Sequence, residues 1–282
     1  MTRSLAAALL AALMTAPAPG AMAQQAQTPA PAATPADTWV LTRLREGNTL
    51  LATAPFSNGV TVVARCSNNL FALILAGLPE PTDPKAQSRS LTLLVGDDVV
   101  EKSTAWSVAT DRTAAFSRLP APMARRLAQG GALQIIVPAP PNGRRTRYVM
   151  DLTESVSAVQ EVLSHCGRPL VDPGDEEALA DANDLPARFR WLAIPAVSFP
   201  AQAASLGEAG GSATLTCDVN RQGWLRNCDI ENEFPEGSGF GQAARRAAPT
   251  GRVALTAEGV AAGRTLGDGR MTFTLNFRTP PS

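Results

Sequence analysis

The 282-residue chain reads as an α+β protein: an N-terminal mostly-β domain closed by a C-terminal helix, followed by a small β-β-α-β domain. Three observations predict this. Short runs rich in Val, Leu, Ile and Thr recur between residues 38 and 170 and stop at turn residues, as strands do. Leu152, Val156, Val159, Leu163 and Cys166 then fall at helical spacing, which predicts an amphipathic helix over 153–165. Last, residues 212–230 form two alternating runs about a Gly-containing turn, 240–248 a short helix, and 271–277 a final alternating strand.

The segments follow in order. Arg3 precedes an apolar stretch, Leu5–Met14, which Pro17, Pro19 and Gly20 break, and Ala21-Met22-Ala23 supplies an A-x-A site. This is the layout of a signal peptide over 1–23, with cleavage after Ala23. The rival reading, a retained membrane anchor, needs about 20 apolar residues, and the run is shorter. No later run is long and apolar enough to span, so a soluble mature chain without stable membrane insertion is expected. Residues 24–37 (QQAQTPAPAATPAD) are rich in Pro and Ala and poor in apolar bulk, which predicts a disordered leader.

Within 38–170, strands are expected at 39–43, 60–66, 70–75, 91–95, 132–137 and 145–152, with Asn142-Gly143 turning the last pair. Gly167 and Pro169 stop the long helix, and a shorter helix is expected around 123–129. These elements suggest a small sandwich or half-barrel. Residues 171–186 (VDPGDEEALADANDLP) are acidic with Pro and Gly breaks and read as a linker to a second domain, 187–282.

Four cysteines, Cys66, Cys166, Cys217 and Cys228, allow three disulfide pairings, and four free thiols remain the rival reading. Strand phase favours one pairing. Ala213, Leu215, Cys217 and Val219 share one face, and Trp224, Cys228 and Ile230 share one on the next run, with Arg226 out of character. Cys217 and Cys228 thus face alike on neighbouring strands, and direct opposition would centre a two-residue turn on Gln222-Gly223. The remaining pair, Cys66–Cys166, closes a loop of about 100 residues, worth about 4–5 kcal/mol in the chain-entropy account. An even cysteine count suits an oxidising compartment.

Chemistry is harder to find. Basic and acidic residues balance at 25 each, so no bulk field draws nucleic acid or an anionic membrane. The lone histidine, His165, adjoins Cys166, but neighbouring helix positions point about 100° apart and make no catalytic dyad. Cys spacing fits no zinc knuckle, and no nucleotide or hydrolase motif occurs. Asp97-Asp98 and Asp175-Glu176-Glu177 read as solvated loop charge, and Arg144, Arg145 and Arg147 as a polar hairpin face. No enzyme activity, cofactor or metal is expected.

One ordered pattern carries a resemblance. It runs Phe199-Pro200-Ala201, Gly211 before a strand, a V-x-x-x-G turn at Val219–Gly223, Phe240-Gly241-Gln242-Ala243-Ala244, then the strand Met271–Phe277. This resembles the C-terminal domain of the energy transducer TonB family over about residues 191–277. The resemblance implies partner binding by strand addition, in which the sheet edge grips an extended segment of an outer-membrane transporter. By position it nominates Phe199, Pro200, Met271, Thr272, Phe273, Thr274, Leu275, Asn276 and Phe277, with the edge backbone as the binding element. Met271, Phe273, Leu275 and Phe277 would form the core face, and Thr272, Thr274 and Asn276 the other. The expected function is an exported periplasmic protein that binds an envelope protein or peptide. The alternatives are an atypical TonB-type transducer in outer-membrane transport and a periplasmic ligand-binding or accessory protein.

Overall fold

The structure is a computed structural model that describes residues 39–279, apart from Asn142, 153–155, 181–184 and Asp268. The signal peptide and leader expected over 1–37 lie outside the described residues, as do Asn142 of the expected turn and the start of the long helix.

A mixed, sheet-rich α+β architecture emerges. Nine strands, β1 (Val40–Leu44), β2 (Thr49–Pro55), β3 (Thr61–Ser67), β4 (Leu70–Ala76), β5 (Ser88–Val95), β6 (Ser103–Val108), β7 (Ala115–Ser117), β8 (Gly131–Val137) and β9 (Thr146–Leu152), join in one antiparallel sheet. Their order is β1-β2-β3-β4-β7-β6-β5-β8-β9. No strand pair joins β1 to β9 among the described residues, so the nine strands form one sheet that does not close into a full barrel. Helices α1 (Pro120–Leu127) and α2 (Val156–His165) pack against it. Leu50, Ala52 and Ala54 of β2 and Val62, Ala64 and Cys66 of β3 alternate into the core, where they meet Val159, Val162 and Leu163 of α2. The alanines there let the helix approach closely. At the end of α2, Gly167 adopts φ +67° while Arg168 N–H returns to Leu163 O at 2.9 Å, an αL stop that a side chain would strain.

The sequence reading omits β2, β6 and β7. In β2 the buried positions include two alanines beside exposed-face Leu51 and Thr53, which masks the alternation, and β7 has three residues. The shorter helix begins earlier than expected because Pro120 occupies its first turn, where a missing N–H costs nothing.

The stretch expected as a linker contains a helix, α3 (Asp175–Ala180). Arg125 of α1 fixes it with a two-pronged contact to the Asp175 carboxylate, both arms at 2.6 Å, and donates to Pro169 O at 2.9 Å. Asp175, expected as solvated loop charge, is therefore a structural anchor.

Beyond α3 come β10 (Phe189–Ala193), α4 (Ala201–Ser205), β11 (Gly210–Val219), β12 (Leu225–Phe234), α5 (Phe240–Ala247), β13 (Arg252–Leu255), α6 (Ala257–Ala261) and β14 (Arg270–Arg278). Strands β12-β11-β14 make an antiparallel sheet, and β10 pairs with β13. One face of the three-stranded sheet carries a second core with α5, distinct from the first. Gly211 is required there, because a Cβ would fall 2.2 Å from the Phe240 ring.

The turn differs from expectation. Val219 pairs with Leu225, and Asn220 N donates to Trp224 O, leaving a three-residue loop, Arg221-Gln222-Gly223. The Asn220 side chain organises it, accepting from Gln222 N and Trp224 N at 3.0 and 2.9 Å. A bulge with Asn227 at φ +47° then restores the register, so that Thr216 opposes Asp229. The shift explains why Arg226 broke the expected phase: before the bulge Leu225, not Trp224, is the fully buried side chain.

Candidate partner-binding edge

The three-stranded sheet has two outer strands, β12 and β14, and the fold treats them differently. Strand β12 lies near β4 of the large sheet. Arg168, just past α2, donates to Ile230 O at 2.7 Å and sits 3.2 Å from the Glu231 carboxylate, with both side chains 12% exposed. Arg65 of β3 bonds Glu236, and Phe116 of β7 packs on Phe234 with ring centroids 4.9 Å apart. This edge is closed by the chain itself.

Strand β14 has β11 on one side and no strand on the other among the described residues. Its ladder phase follows from one bond. Thr279 N donates to Ala209 O at 3.2 Å, continuing the register in which Arg278 faces Gly210. Paired residues of an antiparallel ladder alternate between bonded and non-bonded pairs. Met271, Phe273, Leu275 and Phe277 therefore exchange bonds with β11, whereas Thr272, Thr274 and Asn276 direct their N–H and C=O groups outward. Arg188 reaches the outward carbonyl of Arg270 at 3.4 Å, in keeping with this phase. Helix α3 comes near β14, but no backbone hydrogen bond joins them among the described residues.

The side chains of β14 divide as alternation requires. Met271, Phe273, Leu275 and Phe277 are buried in the second core, where Phe273 meets Trp191 edge-on at 5.4 Å and Phe277 meets Phe240 at 4.7 Å. On the other face Thr274 bonds Thr214 at 3.0 Å and Thr272 bonds Thr216 at 2.8 Å, while Asn276 is exposed. Thr214 also donates to Arg118 O, and Ser212 lies 3.4 Å from Ser107, so this hydroxyl face is packed against the large sheet. Phe199 stacks edge-on against Phe240 at 5.4 Å, and Pro200 is buried beside it. Both are packing residues here, one ring removed from Phe277, and what β14 offers outward is backbone.

Buried Glu233 fixes the connection into α5, accepting from Gly237 N at 2.9 Å and Gly241 N at 2.7 Å, an anion at a helix N-terminus. The sequence reading also missed Leu192 and Ile194, large apolar side chains that are exposed next to Trp191. A continuous apolar run into Pro195 gave no phase by which to single them out.

All four cysteines form disulfides, Cys66–Cys166 with Cα atoms 5.5 Å apart and Cys217–Cys228 at 4.1 Å, so the pairing favoured by strand phase holds. The bridges fit an oxidising compartment. With Cys166 bridged, His165 has no thiol neighbour to activate, and its Nε2 lies 2.9 Å from Asn48 O. Asp98 bonds Val95 N and Arg126, while Arg145 and Arg147 both engage Glu101. Hydrogen bonds from Arg147 and Arg145 hold the Glu101 carboxyl below its ordinary range. Among the described residues no cluster of three or more His, Cys, Asp or Glu is placed to hold a metal ion, and no helix is long and apolar enough to cross a membrane.

A cleft of about 680 Å³ opens where the hydroxyl face meets the large sheet, beside the row Phe234, Ser212 and Asn276. Comparison with family models, curated proteins and solved structures finds no match to this chain.

Proposed function

We propose that this is an exported, periplasmic binding protein of the Gram-negative envelope, whose C-terminal module resembles that of the energy transducer TonB and takes an extended segment of a partner onto β14. The observation that carries this reading is the asymmetry of the small sheet. Its β12 edge is sealed by Arg168 and the large sheet, whereas β14 presents outward the backbone groups of Thr272, Thr274 and Asn276. An edge with no neighbouring strand among the described residues is a template for another strand. Added backbone bonds supply affinity there, and alternate side chains of the guest supply specificity. Exposed Leu192 and Ile194, beside the Trp191 that packs on Phe273, offer apolar contacts for those side chains. The partner is an envelope protein or peptide, an outer-membrane transporter segment being the kind the resemblance implies.

The test is to select binding peptides from a random displayed library and map them by NMR. Cross-strand contacts from the peptide to Thr272, Thr274 and Asn276 are expected. Selected peptides that bind only elsewhere, leaving these amides unchanged, would overturn the reading.

A further inference from the structure

We propose that the cleft between the hydroxyl face and the large sheet binds a small polar molecule carrying a carboxylate or phosphate group. The argument is independent of strand addition at β14. Three cations line the cleft without a carboxylate partner among the described residues: Lys85, Arg112 and Arg278. Elsewhere the fold neutralises its arginines where carboxylates are at hand, as in Arg125–Asp175, Arg126–Asp98, Arg168–Glu231 and Arg270–Asp229. Here the three come from distant points of the chain and converge on one opening. Arg112, in the β6–β7 loop, is positioned for this by the loop between β4 and β5, donating to Asp83 O at 2.7 Å and Ala86 O at 3.5 Å.

The local field is positive beyond these three. Arg118 also lines the cleft, and buried Arg89 is near enough to Arg112 for the two to repel. Burial first, and repulsion by Arg112 as well, hold the Arg89 pKa below its ordinary value against an opposing pull from Tyr148. Glu208 is the carboxylate in the wall, leaving the lining cationic by a clear margin. Ser88 and Thr110 add hydroxyls, and the volume suits a small organic ligand rather than a bare ion. Oxyanions form short, charge-assisted bonds with guanidinium and ammonium groups, so such a cleft selects charge first and polar shape second.

The experiment titrates the isotope-labelled chain with glucose 6-phosphate, glucuronate and, as the neutral control, methyl glucoside. The amides of Gly210, Gly211 and Ser212 report from the wall. Saturable shifts with at least one charged sugar are expected, with affinity falling tenfold or more in Lys85→Gln and in Arg278→Gln. These side chains hold no other part of the fold among the described residues, so the variants keep the parent's unfolding midpoint. Tighter binding of one charged probe identifies phosphate or carboxylate as the natural group. Absence of shifts with both charged sugars, equal binding of methyl glucoside, or parent-like affinity in both variants would overturn the proposal.

Discussion

The two outer strands of the C-terminal sheet start from the same chemical problem and end differently. Each pairs with β11 on one side and has a row of backbone groups on the other. On β12, a side chain from 62 positions earlier in the chain covers the outward carbonyl of Ile230, and the large sheet lies alongside. On β14, the fold buries the apolar side chains and packs the threonines, but no second strand pairs with its outer edge among the described residues. An exposed edge is normally a liability that proteins blunt. A chain that closes one and not the other has the means of closure, and this contrast is what supports the proposal of strand addition at β14.

The comparison can be broken most forcefully at Phe273. Its ring is fully buried and stacks on Trp191, anchoring β14 from beneath. Phe273→Ala should cost about 3–5 kcal/mol of stability in denaturant unfolding and abolish capture of any selected peptide. A cost below about 1 kcal/mol would show that β14 is held otherwise.

The closed edge is the next target. Arg168→Ala leaves Glu231 without its ion pair and uncovers Ile230 O, and should cost about 3 kcal/mol. With β12 uncovered, the variant should also self-associate in size-exclusion runs, which the parent does not require. An unchanged midpoint and a monomeric profile would mean that packing alone seals β12.

The smallest stability effect sharpens the comparison from the open side. Asn276 is exposed and points its N–H outward, so Asn276→Pro should cost less than about 1 kcal/mol, proline being tolerated at such edge positions. The same change removes a donor to the guest strand and should weaken peptide capture about tenfold. Equal losses of stability and capture would place the Asn276 N–H in the β11 ladder and reverse the phase.

Much of this was legible in the sequence wherever the information was local. Alternation in 212–219 put Cys217 on the core face, and the helical stripe through Leu163 put Cys166 where it could reach β3. The bulge at Asn227 was not legible, since an Asn tolerates the left-handed conformation without requiring it, and it lengthened the loop from two residues to three. Strands with alanines at their buried positions, such as β2, lacked the contrast that alternation needs. The site itself was legible only in half: residues 271–277 alternate plainly, but which edge of the small sheet is covered depends on Arg168 and the large sheet beside β12, and on α3, which comes near β14 without a backbone hydrogen bond among the described residues. The cationic cleft had no sequence signal, because Lys85, Arg112 and Arg278 meet only in three dimensions.

Residue-resolved amide exchange along β14, with and without a selected peptide, tests the central claim most directly. The account predicts alternation in the free chain: fast exchange at Thr272, Thr274 and Asn276, and slow exchange at Phe273, Leu275 and Phe277. Bound peptide should protect the fast set and leave the slow set as it was. Protection of Thr272 and Thr274 already present in the free chain, or fast exchange there that persists under saturating peptide, would contradict it.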